Sequence, residues 1–327
     1  MAMEGAAGAA KWLVLSEIDK YLFGTFFKKR KDPLFMIGSS IGSWRFTAVA
    51  QKKPLDAIET FKEEYIRQSY KGYPTAEEVT AESWRIMDSY AGGNAVKEIL
   101  SHPFMRLQIL SARSRLLTKS EVRPIQYAGL GAAFALNLVS RRLMNLAFER
   151  TLFSDTRDVL PLAEQRDFSM KRVALTEKNF RKAILASGSI PVVMKPVTDI
   201  DGAEGVFRDG GMIDYHPALL FEKSDRLVLY PHFNRRLVPG WFDKPLKSRR
   251  HADANLDNVV MIAPSQAFLD RLPYGKVPDR DDFRKFLGDD KERKRYWNKA
   301  VRESARMADE LQELIESGKI RKAVQRF

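Results

Sequence analysis

The chain has 327 residues, 44% of them hydrophobic, which suits one large globular domain or two ordinary ones. It has no cysteine, so disulfides, thiol catalysis and Cys-ligated zinc are excluded. The net charge of +13 attracts polyanions, but no zinc-finger spacing, RRM signature or basic-zipper heptad accompanies it, so an anionic membrane surface is the expected partner and nucleic acid is not.

In chain order, the N-terminus carries no charged segment followed by a long apolar run. No signal peptide is expected, and a cytoplasmic location follows by default. Gly5-Ala6-Ala7-Gly8-Ala9-Ala10 is a run of tiny residues, and the next segment offers Leu13, Ile18, Leu22 and Phe23 to one helix face. A small-residue loop that opens a helix exposes backbone N–H groups able to hold a phosphate or an oxyanion. It lacks the Gly-Lys-Ser/Thr ending of a Walker A loop. Any strand feeding Gly5 is short, so the loop is expected to be mobile or misplaced without substrate.

Leu34 to Ile37 reads as a buried strand, and Ile41 to Lys53 has helical composition without proline. Between them Gly38-Ser39-Ser40-Ile41-Gly42 spells G-x-S-x-G. Strand, sharp turn and helix are the setting of a nucleophile elbow, in which Gly38 and Gly42 let the two elements approach. Ser40 would then stand at a helix N-terminus.

From Pro54 to about Arg172 the pattern is mainly helical, with apolar residues at helical spacing in Asp56–Arg67, Thr75–Tyr90 and Ala95–Ser101. This stretch is expected to be a helical insertion. Tyr127 to Val139 is the most apolar window of the chain, flanked by Arg113, Arg115, Lys119 and Arg123 before it and by Arg141 and Arg142 after it. It is shorter than the roughly 20 residues a membrane-crossing helix needs. It reads as a buried core helix or as an interfacial hairpin or lid that touches lipid.

After Phe168 strands and helices alternate, which predicts an α/β sheet. Lys178–Ala186 reads as a helix ending at Ser187-Gly188-Ser189-Ile190-Pro191. Asp209-Gly210-Gly211 follows a strand end, and Leu227–Tyr230 and Val259–Ile262 read as short buried strands. A charged helix from Asp289, with Trp297, Val301, Ala305, Ala308, Leu311 and Ile315 on one stripe and Gly318 at its end, dominates a C-terminal helical extension of about 280–327.

A nucleophilic serine needs a base and N–H donors for the oxyanion. His216, His232 and His251 follow Ser40 in the order of a Ser–Asp/Glu–His triad. Yet only 37 residues precede Gly38, too few for the strands that come before the elbow in that fold. A partly desolvated carboxylate can serve instead, and Asp209 before two glycines is a candidate.

The small-residue loop, GSSIGSW, ASGSIPVVMKPV and DGGMIDYHP together resemble the patatin-like phospholipases, over roughly residues 4–264. The resemblance implies an α/β hydrolase-type fold with a central, mostly parallel sheet flanked by helices, as one domain over 1–327. It implies a lipid acyl hydrolase of phospholipase A or lysophospholipase type, with Ser40 as nucleophile and Asp209 as base and neither metal nor cofactor. Gly5, Ala6, Ala7 and Gly8 would form the oxyanion hole, and Gly210 and Gly211 the turn after the base. Lipid or another acyl ester is the substrate, met at a membrane periphery. Alanines stand where that loop carries glycines, which keeps a catalytically silent lipid-binding or scaffolding relative open, and a Ser–His–Asp esterase is the third reading.

Overall fold

The computed structural model describes residues 1–222, 227–252 and 255–326. Its centre is an eight-stranded sheet. The strands are β1 (Ala2–Gly5), β2 (Leu34–Ser39), β3 (Met105–Ser114), β4 (Phe148–Ser154), β5 (Met170–Ala174), β6 (Val206–Asp209), β7 (Val228–Pro231) and β8 (Val259–Ile262). They lie in the order β5-β4-β3-β2-β1-β7-β8, with β6 added alongside β3. The pairs β1–β2, β1–β7, β2–β3, β4–β5 and β7–β8 are parallel, whereas β4 and β6 run antiparallel to β3.

Helices cover the sheet: α1 (Ser16–Tyr21), α2 (Ile41–Val49), α3 (Pro54–Arg67), α4 (Ala76–Ala91), α5 (Ala95–Leu100), α6 (Arg123–Val139), α7 (Phe180–Ser187), α8 (Gln266–Leu269), α9 (Asp282–Lys285), α10 (Asp290–Glu316) and the short α11 (Ile320–Ala323). Every residue of α2 is buried, because it packs under β1 and β2 on one side and under α3 on the other. Arg45 of α2 grips Asp19 of α1 with two hydrogen bonds, at 2.6 and 3.0 Å, so the buried charge is paired.

The expected helical insertion over 54–172 is corrected. Helices α3 to α6 lie there, but so do β3, β4 and the start of β5. The reason lies in β3. A strand covered on both faces ordinarily reads as an unbroken apolar run. In Met-Arg-Leu-Gln-Ile-Leu-Ser-Ala-Arg-Ser the run is broken by Arg106 and Gln108, both buried. Arg106 is tolerated because its guanidinium meets the carbonyl of His102 and the carboxylate of Asp158.

Asp289 caps α10 by accepting from the Glu292 amide at 3.0 Å, and Asp290 and Glu292 in its first turn complement the helix dipole. Its stripe of Trp297, Val301, Ala308 and Leu311 joins the main core beside α1. Gly318, in left-handed backbone with φ 71°, follows its end. Phe327, the last residue of the expected extension, lies outside the described residues.

The topology places two strand ends together. β2 runs parallel to β3 and ends with Ser39 opposite Leu110. β6 runs antiparallel on the same edge of β3 and ends with Asp209 opposite Ser111. The C-terminal ends of β2 and β6 therefore abut at neighbouring rungs of one strand.

Candidate active site

Ser40 is the single residue between β2 and α2, with φ 54° and ψ −126°. Such backbone is unfavourable for a residue with a Cβ and costs about 1–3 kcal/mol. Several contacts hold it. A Cβ on Gly42 would lie 2.2 Å from the Gly5 carbonyl oxygen, so only glycine lets α2 start this close to β1. Gly38 packs as tightly against the Ser43 backbone. The Ser40 amide donates to Ser187 Oγ at 2.9 Å, and Ser187 Oγ donates to the Leu110 carbonyl at 2.6 Å. Trp44 Nε1 donates to the Ile184 carbonyl at 3.0 Å and so ties α2 to α7.

Asp209 closes the other side. Its amide donates to the Ser189 carbonyl at 2.9 Å. Its Oδ1 accepts from the Gly211 amide and its Oδ2 from Ser40 Oγ, each at 2.6 Å. Gly210 is needed because a Cβ there would lie 2.4 Å from the Leu110 carbonyl oxygen. Burial pushes the Asp209 carboxyl up to about 6, while the hydrogen bonds from Ser40 and Gly211 restrain the shift. Further along the same turn, Asp214 is held by Arg150 of β4 through bonds of 2.8 and 2.6 Å. A carboxylate poised near neutrality and bonded to a hydroxyl in strained backbone can accept that hydroxyl's proton.

The pair opens into a cavity of about 760 Å³. Its lining includes apolar residues, with Leu130 and Phe134 of α6, Val192, Met212 and Trp241. It also includes Lys11, Lys244 and Arg280, together with Asp279 and Asp281. Asp279 is engaged by Lys276 at 2.8 Å. Among the described residues neither Lys11 nor Lys244 has a carboxylate within 4.0 Å. Burial, followed by the charges of Lys11 and Arg280, brings the Lys244 amine down to about 7. Its Nζ sits 3.9 Å from the centroid of the Tyr215 ring. Among the described residues no group of three or more His, Asp or Glu is arranged to hold a metal ion.

The patatin-like phospholipase family model matches residues 5–221. The chain belongs to that family. Membership supports lipid acyl hydrolysis as the general activity. Among solved structures this patatin-like chain is similar to VipD from Legionella pneumophila, at 12% sequence identity and a TM-score of 0.36, covering 94% of this chain and 66% of that one. No curated protein matches it. The family match ends before β7 and β8, yet these strands extend the same sheet beyond β1.

The oxyanion residues expected from the patatin-like resemblance are only partly where that role requires. Gly5 is the last residue of β1, opposite Gly38, and serves the close approach of α2. Ala6 is buried away from the cavity. Ala7 reaches the cavity, but its amide is committed to the Tyr215 carbonyl at 2.8 Å. Gly8, with Ala9 after it, lines the cavity beside Ser40. Of the two outcomes expected for this loop, mobile or misplaced, the structure bears on the second, since the Ala7 amide is committed to Tyr215. β1 has only four residues but lies in mid-sheet, paired with β2 on one edge and β7 on the other, and the Ala7–Tyr215 bond pins the loop beyond it.

None of the four histidines hydrogen-bonds Ser40. His102 Nδ1 accepts from the Met105 amide, His216 Nδ1 from Val238 and His232 Nδ1 from Asn234, while His251 Nε2 meets the His216 carbonyl. Burial lowers all four, His216 well below its usual value. The roles of two residues escaped the sequence reading. Ser187 and Ser189 of the Ser-Gly-Ser turn hold the backbone of Ser40 and Asp209 respectively, and a polar pair closing an apolar helix was the available signal.

Proposed function

We propose that this protein is a lipid acyl hydrolase of phospholipase A or lysophospholipase type that works through a Ser40–Asp209 dyad. The observation that carries the reading is the 2.6 Å hydrogen bond from Ser40 Oγ to Asp209 Oδ2 at a strained strand-to-helix corner, a nucleophile elbow, facing an apolar cavity. Ser40 Oγ attacks the ester carbonyl carbon while Asp209 takes its proton. The Gly8 amide and the N-terminus of α2 stabilise the oxyanion. The tetrahedral species collapses, and the departing alcohol receives the proton from Asp209. Water then attacks acyl-Ser40, Asp209 takes one proton from it, and release of the fatty acid returns a proton to Ser40. Residues 1–327 act as one catalytic unit, because β7 and β8 complete the sheet that carries the dyad.

The cavity supports a bipolar substrate. The apolar part of the lining accepts an acyl chain. Lys11 and Lys244, with no carboxylate within 4.0 Å among the described residues, join Arg280 on the same lining and favour a phosphate-bearing head group. The site works at a membrane periphery, where such substrates reside.

Fatty-acid release from phospholipid, lysophospholipid and triacylglycerol tests the proposal. Release from the first two that disappears in Ser40→Ala, with KM for the phosphate-bearing substrates raised selectively in Lys244→Met, is the expected pattern. A folded protein that releases fatty acid from none of them would favour the silent, lipid-binding reading. Release that survives Ser40→Ala would remove the dyad.

A further inference from the structure

Helix α6 reverses the usual order of a surface helix. Of its sequence, only Arg123 is charged. Its inner face is small or polar, with Gln126, Gly129, Ala133 and Asn137 buried. Its outer face is apolar. Nine of the seventeen large apolar residues exposed among the described residues fall between Leu116 and Leu146, a tenth of the chain. Val139 is 77% exposed, Leu116 72%, Val122 58%, Leu146 56% and Leu138 51%. Scattered exposed leucines need no explanation, but a cluster this dense marks an interaction surface.

The helix is fixed rather than hinged. A Cβ on Gly129 would lie 2.8 Å from the Leu117 backbone, so the helix lies tightly on that turn. Asn137 Nδ2 donates to the buried Asp243 at 2.7 Å, and an Arg249 guanidinium nitrogen donates to the Asn137 carbonyl at 2.9 Å. The apolar face is therefore presented permanently. The same helix supplies Tyr127, Leu130, Gly131 and Phe134 to the cavity of Ser40.

Charge selects the occupant. Lys119, Arg123 and Arg142 are exposed around the patch, and among the described residues none has a carboxylate within 4.0 Å. The one acidic residue between Leu116 and Leu146 is Glu121, which is engaged by Lys195 at 3.1 Å. An apolar face rimmed by unpaired cations fits the boundary between acyl chains and anionic head groups. No described helix is long and apolar enough to cross a membrane.

We infer that the outer face of α6 and its flanking turns is the membrane-docking surface, which seats the cavity mouth against an anionic bilayer so that an acyl ester passes from lipid to Ser40 along the wall that α6 forms. The inference rests on the proposed lipid-hydrolase reading only for what enters the cavity, since docking itself requires no turnover.

Vesicle flotation of the Ser40→Ala protein measures docking without hydrolysis. Vesicles of phosphatidylcholine with phosphatidylglycerol should bind it more tightly than phosphatidylcholine alone, and salt raised to about 0.5 M should weaken binding. Adding Leu138→Glu and Val139→Glu should lower partitioning by about tenfold or more. In the Ser40 protein the same two changes should slow hydrolysis of vesicle lipid and leave hydrolysis of a soluble short-chain ester unchanged. Unaltered flotation of the double-glutamate protein would overturn the inference, as would absence of vesicle binding. A concentration-dependent dimer in light scattering that those glutamates dissociate would overturn it in favour of a second copy of the chain. Vesicle binding by a protein that hydrolyses no ester would leave the docking surface standing and defeat the hydrolase reading.

Discussion

The corner at Ser40 and the outer face of α6 border one cavity and invert the ordinary distribution of residues. At the corner, polar groups are buried: Ser40, Asp209, Ser187 and Ser189 are all nearly inaccessible, and each is hydrogen-bonded. On α6 and its flanking turns large apolar groups are exposed, and Lys119, Arg123 and Arg142 stand at the rim with no carboxylate within 4.0 Å among the described residues. Both arrangements cost stability relative to a conventional core and surface. Each region offsets its cost in a different place. The corner recovers its cost within the protein, through pinned backbone and a carboxylate held ready to take a proton. The α6 face can recover its cost only against something outside the protein.

Removing the base should have the largest effect. Asp209→Asn keeps the Oδ1 acceptor for the Gly211 amide but cannot take a proton, and turnover should fall by about 10²–10⁴-fold. The same change should stabilise the fold at pH 8. The Asp209 pKa is raised from 3.8 to about 6, so the folded state holds the proton more tightly than the unfolded one and loses stability as pH rises through that window. Relief of that ionisation is worth at most about 3 kcal/mol at pH 8. Parallel measurements of kcat and of urea unfolding check both halves. A variant that is inactive and also less stable would point to simple disruption.

A smaller effect is expected at Ser187. Ser187→Ala removes the acceptor of the Ser40 amide and should destabilise by about 1–3 kcal/mol. As a positioning residue it should lower kcat with KM little changed, and slow the reaction of Ser40 with a fluorophosphonate. Loss of stability without slower labelling would make it structural only.

Acidity separates the two regions again. Turnover governed by Asp209 should rise with pH through about 6. Glu4 beneath the corner is pushed from 4.5 up to about 8, mainly by burial, with a hydrogen bond from the Leu219 amide holding it back. The folded state keeps that proton where the unfolded chain has lost it, so stability should fall as pH rises from about 4.5 to 8. Thermal unfolding of Glu4→Gln across that range should show a flatter profile than the parent. An unchanged profile would show that Glu4 is not the group responsible.

The smallest effect belongs to α6 in the absence of lipid. Leu138→Glu lies on an exposed position, so its stability in urea should stay within about 0.5 kcal/mol of the parent. A larger loss would mean that the face is packed rather than presented.

The sequence made the chemistry more legible than the scaffold. Gly38-Ser39-Ser40-Ile41-Gly42 and Asp209-Gly210-Gly211 announce strained corners because close approach admits only small residues there. The sheet itself was harder to read. Buried Arg106 and Gln108 disguise β3, the strand on which β2 and β6 meet, so the pattern offers Asp209 only as a candidate base and the family resemblance is what pairs it with Ser40. The Gly5 to Gly8 loop was legible as a place of small residues but not in its division of labour. Gly5 is small for the sake of Gly42, and the Ala7 amide is engaged by Tyr215, both partners distant in sequence. The apolar window of α6 stood out at once, but which of its faces is exposed depends on the turns packed beneath it.

Intact-mass and peptide spectrometry after reaction with a fluorophosphonate tests whether Ser40 is the acylated nucleophile and Asp209 its base. A single adduct is expected on the peptide that contains Ser40, none in Ser40→Ala, and much slower formation in Asp209→Asn. A folded parent protein that stays unlabelled, or an adduct on any other residue, would contradict that assignment.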